Sequence, residues 1–277
     1  MKMEIVIILV LIALASFVME LIDAGLGMGY GTVLSPLLIA FGYSPLLVVP
    51  SLLLSQAIGG FTAAVFHHKQ QNVDFKPKST DVRKIKKALK KLGYVESFKR
   101  GFTKDFKITL AITFLGVIAT IIGAFVAVQI PKWLLTAYIG VLVLIMGIII
   151  LLRKSFRFSW KRMIGVGTLA SFNKGISGGG FGPVTTGGQI IAGNEHKSSI
   201  GCTTLAEAPI CITGFISYLV LNGLTSYDLI VALSIGAFIG APFGALLTKK
   251  ISSEKMKIIL GILIVALGAW TIIKLVV

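Results

Sequence analysis

The stretch Ser171–Gly188 reads SFNKGISGGGFGPVTTGG and is the starting point for interpreting the whole sequence. It places Lys174 and three consecutive glycines in a segment that is otherwise apolar enough for a membrane. A charge at bilayer depth costs roughly 2.5–3.5 kcal/mol or more, and such residues commonly mark a ligand path or an ion pair. Glycines break helices and let backbone N–H groups approach an anion closely. The stretch therefore predicts a broken membrane helix beside an anion site.

A weaker example of the same pattern lies near the N-terminus. Glu20–Pro36 reads ELIDAGLGMGYGTVLSP, so that two acidic residues, Glu20 and Asp23, precede a run of glycines. Short or glycine-interrupted apolar segments at corresponding places in two halves of a chain are typical of transporters whose binding site lies between the halves. Together the two stretches predict a transporter.

The composition is that of a membrane protein. The 277 residues are 55% hydrophobic and 14% charged, with a mean hydropathy of +0.91. These values exclude a soluble domain of ordinary composition. We therefore expect an all-α, polytopic protein that crosses the plasma (cell inner) membrane several times.

The net charge of +16 is explained by where the basic residues lie. Of the 27 lysines and arginines, 13 fall in residues 69–107, 5 in residues 153–162 and 4 in residues 249–257. Clusters of this kind between apolar segments mark cytoplasmic loops. We therefore expect no nucleic acid partner, and we expect anionic lipids of the inner leaflet to contact the loop 69–107.

Part of this basic loop has the pattern of an amphipathic helix. Residues Thr80–Gly93 begin with a capping residue and end with a glycine, and Val82, Ile85, Leu89 and Leu92 fall on one face. We expect this helix to lie on the inner leaflet. The alternative is a regulatory or partner-binding helix.

Ten apolar segments are long enough to cross a bilayer, or nearly so. A span needs about 20 residues, and three of the segments are shorter. The segments are Ile5–Asp23, Met28–Phe41, Pro45–Phe66, Phe106–Gln129, Trp133–Leu152, Met163–Ile176, Phe181–Ala192, Ser198–Leu221, Tyr227–Thr248 and Met256–Val277.

The chain also contains an internal duplication, with a first repeat at residues 1–152 and a second at residues 153–277. Small residues recur 121 positions later in one region and 153 positions later in another, which supports homologous repeats. The pairs are Gly116 with Ala237, Gly123 with Gly244, Gly140 with Gly261, Gly147 with Gly268, Gly25 with Gly178, Gly27 with Gly180, Gly29 with Gly182 and Thr32 with Thr185.

The charge pattern favours inverted repeats. If all three basic loops are cytoplasmic, each repeat crosses an odd number of times, and we expect about ten spans arranged as five plus five. The alternative is eight spans, four plus four in parallel, in which each glycine-rich region is a re-entrant segment and residues 249–257 lie outside.

Four ionisable residues fall within or beside the apolar segments, namely Glu20, Asp23, Lys174 and Glu207. One interpretation is a static ion pair, or side chains that reach the headgroups from span ends. In the functional interpretation Lys174, with Asn173 and Ser177, contacts an anion, and Glu207 or Asp23 carries a coupling proton.

Small polar side chains also occupy comparable places in the two halves. Ser51, Ser55 and Gln56 correspond to Thr203, Glu207 and Ala208 at a spacing of 152 residues. This pattern suits a pseudo-symmetric polar cavity, although serine and threonine hydroxyls also bond to the backbone of their own helix.

The sequence offers little for catalysis. Residues 175–178, GISG, match the GxSG motif of intramembrane serine proteases, whose serine needs a base within hydrogen-bond reach. The histidines, His67, His68 and His196, lie outside the apolar interiors, and Cys202 and Cys211 lack metal-ligand spacing. We therefore expect no enzyme activity, no metal and no cofactor, and a serine protease is the unfavoured alternative.

Three features together resemble the TauE/SafE sulfite exporter family. They are the glycine-rich run Gly25–Pro36, its counterpart Gly175–Pro183, and the small-residue stretches VVPS (Val48–Ser51) and IGCTT (Ile200–Thr204) in place of the family's A-V-x-T-S motif. The likeness covers essentially the whole chain and rests on the paired order of the motifs. The chain departs from the pattern at Pro50, where the family usually has threonine.

The resemblance implies a secondary transporter that exports small sulfur-containing anions, such as sulfite or organosulfonates, by alternating access. Glu207 and Asp23 are the candidates for coupling. The alternatives are a carrier for another small anion, a metabolite or a cation, and a non-transporting scaffold. The residues expected to contact the substrate are Gly25, Gly27, Gly29, Thr32, Ser51, Asn173, Lys174, Ser177, Gly178, Gly179, Gly180, Thr185 and Thr203.

Overall fold

The computed structural model describes residues 2–76, 101–152, 160–191, 194–223, 226–248 and 253–276. Within these ranges the chain forms ten α-helices and no β-strand. The helices are α1 Lys2–Leu26, α2 Tyr30–Ala40, α3 Pro45–Lys69, α4 Lys104–Gln129, α5 Lys132–Leu152, α6 Trp160–Ser177, α7 Phe181–Ile191, α8 His196–Asn222, α9 Tyr227–Leu247 and α10 Ser253–Val276. The predicted amphipathic helix at Thr80–Gly93 lies outside the described residues.

Each of the ten predicted apolar segments coincides with one helix, so the all-α polytopic class is confirmed. Seven of the described helices are long and apolar enough to cross a membrane: α1, α3, α4, α5, α8, α9 and α10. Helices α2 and α7 have 11 residues each. At 1.5 Å per residue each extends only about 16 Å, roughly half of a bilayer core of about 30 Å. Seven of the described helices are thus candidates for full spans, and the expected count of ten spans stays a prediction.

The two helix breaks have the same backbone form. Gly27 and Gly29 separate α1 from α2 with φ of 74° and 132°, and Gly178 and Gly180 separate α6 from α7 with φ of 71° and 81°. These angles lie in the region that favours glycine. Paired by backbone conformation, Gly27 matches Gly178 and Gly29 matches Gly180, a spacing of 151 residues. Pairing by residue identity in the sequence had used a spacing of 153 residues.

The two breaks cross each other in direct backbone contact. A Cβ atom placed on Gly31 would lie 1.8 Å from the carbonyl oxygen of Gly178, and one on Gly182 would lie 2.4 Å from the carbonyl oxygen of Gly27. Only glycine allows this approach, since real Cβ contacts are never so short. The glycine runs therefore bring two interrupted helices together at one point.

Glycines also set the closest helix pairs. Along α9, Gly236, Gly240 and Gly244 face the carbonyl oxygens of Ala13, Phe17 and Leu21 on α1, with Cβ positions 2.2–2.5 Å away. Glycines spaced four residues apart in this way permit close packing of two helices. Helices α4 and α6 pair in the same way, through Gly123 beside the carbonyl of Phe172 and Gly175 beside that of Thr120. Both pairs run parallel, since residue numbers rise together along the contact; on α4, Gly116 faces Ser171 of α6 and Gly123 faces Gly175.

The basic segments all leave the helices at one end of the bundle. The end of α3 lies beside the end of α9, where Asn72 Nδ2 donates to the carbonyl of Ala245 at 3.0 Å. The end of α5 meets the start of α10, where Leu151 packs against Gly261. The residues that follow α3, α5 and α9 are the three basic clusters, so we call this the basic end.

Candidate functional site

The centre of the bundle holds an ion pair between two helices. Lys174 Nζ on α6 lies 2.7 Å from Glu207 Oε1 on α8, and both side chains are almost completely buried. Gln56 on α3 joins them, since its Oε1 accepts a hydrogen bond from Lys174 and its Nε2 donates to Glu207 Oε1 at 3.2 Å. The cluster therefore ties three helices together beneath the crossing breaks.

Gln56 was not among the predicted substrate contacts. The sequence comparison at 152 residues paired it with Ala208, whereas the 151-residue spacing of the helix breaks pairs it with Glu207. The sequence did contain a signal for Gln56, since it is a polar side chain inside an apolar segment. Equivalent positions on α3 and α8 therefore both contact Lys174.

Two further carboxylates lie near this cluster, both on α1. Asp23 Oδ1 accepts a hydrogen bond from the backbone N–H of Tyr30 at 3.1 Å, which bridges the break between α1 and α2. Glu20 lies one turn earlier, and both residues are close enough to Lys174 and Glu207 to interact electrostatically. The four ionisable residues singled out from the sequence thus form one buried group.

Several predicted contacts lie at the crossing itself. Thr32 Oγ1 on α2 accepts a hydrogen bond from the N–H of Gly180 at 3.1 Å, which links the two breaks. Ser177 Oγ donates to the carbonyl of Asn173 at 2.8 Å and accepts from the N–H of Gly179 at 3.1 Å. These bonds satisfy backbone groups that the helix interruption leaves without helical partners.

The same contacts bear on the protease alternative. None of the hydrogen bonds found for Ser177 in the described part of the chain involves a histidine. His67 lies at the basic end, where its Nε2 is 2.9 Å from the carbonyl oxygen of Ala24 and its Nδ1 is 3.1 Å from Asn72 Nδ2. Ser177 therefore stabilises the break between α6 and α7.

Other predicted contacts lie away from the ion pair. Ser51 donates to the carbonyl of Leu47, and Thr185 donates to the carbonyl of Phe181, so both hydroxyls bond within their own helices. Gly25 is a helical residue of α1 that packs against Gly244. Asn173 accepts a hydrogen bond from the hydroxyl of Tyr138 on α5.

A chain of hydrogen-bonded polar side chains begins at the basic end. Asp105, in the first turn of α4, accepts a hydrogen bond from Ser198 Oγ at 2.7 Å. Asn194 Nδ2, just before α8, lies 3.2 Å from Ser198 Oγ and 3.4 Å from Gln189 Oε1 on α7. The first three links therefore connect α4, α8 and α7.

The chain continues to the crossing. Gln189 Nε2 donates to Thr203 Oγ1 at 2.8 Å, and Thr186 Oγ1 lies 3.0 Å from the same oxygen. Thr186 also lies 3.1 Å from the carbonyl oxygen of Gly27. Thr203, one of the predicted contacts, thus belongs to a buried polar chain that runs from the basic end to the helix breaks. We call this series the inner polar chain.

Among the described residues, no group of three or more histidine, cysteine, aspartate or glutamate side chains is arranged to hold a metal ion. The described interior is polar but offers no metal centre. The arrangement suits the binding of a small charged solute between the two helix breaks.

Comparison with known proteins places the chain among membrane transporters. The family model described as "Sulfite exporter TauE/SafE" matches residues 12–77 and 89–271. The chain is 26% identical over 280 residues to a "Probable membrane transporter protein YtnM" of Bacillus subtilis (strain 168), and the match covers 96% of this chain and 83% of that protein. No solved structure matches.

Proposed function

The chain belongs to the TauE/SafE sulfite exporter family, and we propose that it is a secondary transporter that exports small sulfur-containing anions. The observation that carries the proposal is the buried Lys174, which lies near the two crossing helix breaks and, among the described residues, is bonded by side chains of α3 and α8. A buried ammonium at such a place is suited to an anion. The sulfur chemistry of the cargo and the export direction come from the family.

We propose that the two halves, residues 1–152 and 153–277, are inverted repeats. The support is the pattern of the most extensive helix pairs, which are α1 with α9, α6 with α4, α3 with α9, α8 with α4, α3 with α8, and α5 with α10. We take α1 as the counterpart of α6, α2 of α7, and so on to α5 and α10. When every helix is replaced by its counterpart, the same set of pairs results. A two-fold relation between the halves would produce such a pattern.

The same contacts support a specific topology. Helix α1 runs toward the basic end, parallel to α9, and α2 leads away from the basic end. Helices α1 and α2 therefore form a hairpin that is open to the opposite end. Helices α6 and α7 form a hairpin open to the basic end. We propose that each repeat consists of a re-entrant hairpin and three full spans, with the basic end cytoplasmic. The segment 69–107 would then lie against the anionic inner leaflet of the plasma membrane.

The crossing hairpins give alternating access a physical basis. Each hairpin opens toward a different end of the bundle, so a solute held between the breaks can be exposed to one side by the movement of one hairpin. The breaks meet through glycine backbone atoms and through the hydroxyl groups of Thr32 and Thr186, so one repeat would rock against the other by exchanging a few hydrogen bonds at the crossing. This is how the proposed carrier would release its substrate.

The ion pair supplies a way to couple substrate and protons. A substrate anion would compete with the carboxylate of Glu207 for the ammonium of Lys174, since both are negatively charged oxygen ligands. A proton on Glu207 removes that competition and frees Lys174 for the anion. Asp23, at the other break, is the second candidate for this role.

The test is the thermal stability of the purified protein in the presence of sulfite, sulfoacetate, taurine, sulfate, acetate and simple cations. A ligand that binds only the folded state raises its stability. We expect a sulfur oxyanion to raise the melting temperature of the wild type and of Lys132→Ala, whose lysine is exposed, but not of Lys174→Ala.

Two outcomes would contradict the proposal. If cations alone stabilise the protein, the carrier alternative with Asp23 and Glu207 as ligands replaces it. If sulfur oxyanions stabilise Lys174→Ala as they do the wild type, the anion binds elsewhere.

A further inference from the structure

The central group of ionisable side chains is unbalanced. Three carboxyl groups, on Glu20, Asp23 and Glu207, share a buried region with one ammonium, that of Lys174. Lys174 is already paired with Glu207. An unpaired ionised carboxylate away from water costs several kcal/mol or more, so the two remaining acids must be neutralised or compensated.

The burial of the Asp23 carboxyl group is partly compensated, because a backbone N–H group donates a hydrogen bond to it. The Glu20 carboxyl group lacks such compensation. Its side chain is 2% exposed, and its Oε2 atom is buried without a hydrogen-bond partner. Buried polar atoms without partners are rare in folded proteins, and each one calls for a physical explanation.

The space around the Glu20 carboxyl is made by glycines. A Cβ atom on Gly59 of α3 would lie 2.6 Å from Glu20 Oε1 and 3.0 Å from Oε2, so the carboxyl group occupies the place of an absent side chain. A Cβ atom placed on Gly240 of α9 would likewise lie 3.2 Å from the Cβ atom of Glu20. Two helices thus form a niche that accommodates a carboxyl group but supplies no cation to it.

From this geometry we propose that Glu20 is a proton-binding site of the transporter, separate from the Lys174–Glu207 pair. The inference rests on the proposed function, which it deepens by naming the coupling ion. A proton fits the niche because it needs no ligands beyond the carboxyl oxygen itself. A sodium ion needs several oxygen ligands, and no group of three or more acidic, histidine or cysteine side chains in the described residues is arranged to hold a metal ion.

The groups that face Glu20 are known for each neighbouring helix. Helices α3 and α9 contribute glycines. The ionisable groups that act on it electrostatically are Asp23 on α1, Tyr30 on α2, Lys174 on α6, and Glu207 and Cys211 on α8. His67, near the end of α3, is bonded to Ala24 and Asn72.

Glu20 is placed to exchange its proton when the bundle changes shape. It lies on α1 at the contact with α3 and α9, so movement of the α1–α2 hairpin would open the niche to water. The carboxylic acid then gives its proton to water, and the carboxylate takes one from water on the other side. Each cycle would move one proton with the substrate.

The first experiment needs no substrate. Infrared difference spectra of the purified protein between neutral and alkaline pH report carboxylic acids that lose their protons. We expect a carboxylic acid band in the wild type and in Asp228→Asn, whose acid is exposed, and we expect the band to disappear in Glu20→Gln. Glu20→Asp, which keeps the acid on a shorter side chain, should show a shifted band. An unchanged band in Glu20→Gln would overturn the inference.

The second experiment measures coupling in proteoliposomes that contain a pH-sensitive dye. With Glu20→Gln we expect exchange of sulfite for sulfite to continue, while accumulation driven by a pH gradient falls at least tenfold. Accumulation at the wild-type level, or accumulation driven by sodium instead, would contradict the role of Glu20. A wild type that moves no sulfur anion but retains the Glu20 band would contradict the proposed cargo and leave the proton site supported.

Discussion

The two helix breaks share a backbone design and differ in charge. The carbonyl of Asp23 accepts a hydrogen bond from Gly27 at 2.6 Å, and that of Lys174 accepts one from Gly178 at 2.9 Å. The two side chains therefore occupy the same position before their breaks, 151 residues apart, yet one is an acid and the other a base. The same backbone device therefore places an acidic side chain at one break and a basic side chain at the other.

The surroundings of the breaks differ in the same way. The inner polar chain runs through Gln189, Ser198 and Thr203, on α7 and α8. The residues 151 positions earlier, on α2 and α3, are Leu38, Leu47 and Leu52. A polar connection therefore links the crossing to the basic end, and apolar side chains fill the corresponding region at the opposite end.

The largest expected effect comes from separating the two breaks. Gly31→Ala places a methyl group 1.8 Å from the carbonyl oxygen of Gly178, so the crossing must move apart. Overpacking against movable side chains costs about 1–3 kcal/mol, and occasionally more. Here the obstacle is backbone at 1.8 Å, which cannot rotate aside, so we expect a cost above the roughly 3–5 kcal/mol of a broken buried ion pair. We expect Gly31→Ala to lower the melting temperature and the yield of monodisperse protein.

The matched control for the crossing is Gly187→Ala, on α7, where a Cβ atom meets nothing within 4 Å. It should behave as the wild type. Equal melting temperatures for the two variants would mean that the backbone contact between the breaks does not exist.

A smaller effect is expected from the ion pair. Removing one partner of a buried pair costs about 3–5 kcal/mol, because the other charge stays buried. Lys174→Met should therefore destabilise the protein, and the second substitution Glu207→Gln should recover most of the loss. Thermal unfolding of the two single variants and the double variant measures this coupling, and additive effects would contradict the pairing.

The smallest effect is expected from the inner polar chain. Gln189→Leu introduces the residue found in the corresponding place of the first half and removes the link between Asn194 and Thr203. We expect folding to be retained and the rate of substrate exchange to fall about tenfold, corresponding to roughly 1.4 kcal/mol in a barrier. Gln129→Leu, at an exposed site, is the control. A normal exchange rate for Gln189→Leu would show that the polar chain has only a structural role.

Much of the fold was accessible from the sequence, because apolar segments, glycine runs and charge clusters are local signals. They predicted the ten described helices and both breaks, and the role of Lys174 stays a prediction. The bond partners of the site were harder to predict. Gln56 lies 118 residues from Lys174 and 151 from Glu207, and no local pattern reports such contacts.

The inner polar chain was missed, and the number of spans was not readable from the sequence, for a related reason. Short helices such as α2 and α7 look like imperfect spans until their direction is known. Asn194, Ser198 and Gln189 look like ordinary loop and helix residues until α7 folds back against α8. Tertiary contacts decide both points.

The most direct measurement is the exchange of labelled sulfite in proteoliposomes, comparing the wild type with the double variant Lys174→Met, Glu207→Gln. The double variant removes the ammonium together with its paired carboxylate, and a melting temperature near that of the wild type would show that loss of transport is not caused by unfolding. We expect the wild type to exchange sulfite and the double variant to be reduced to the rate of empty liposomes. Exchange by the double variant at the wild-type rate, or no exchange of sulfite by the wild type, would contradict the assignment of Lys174 as the anion site.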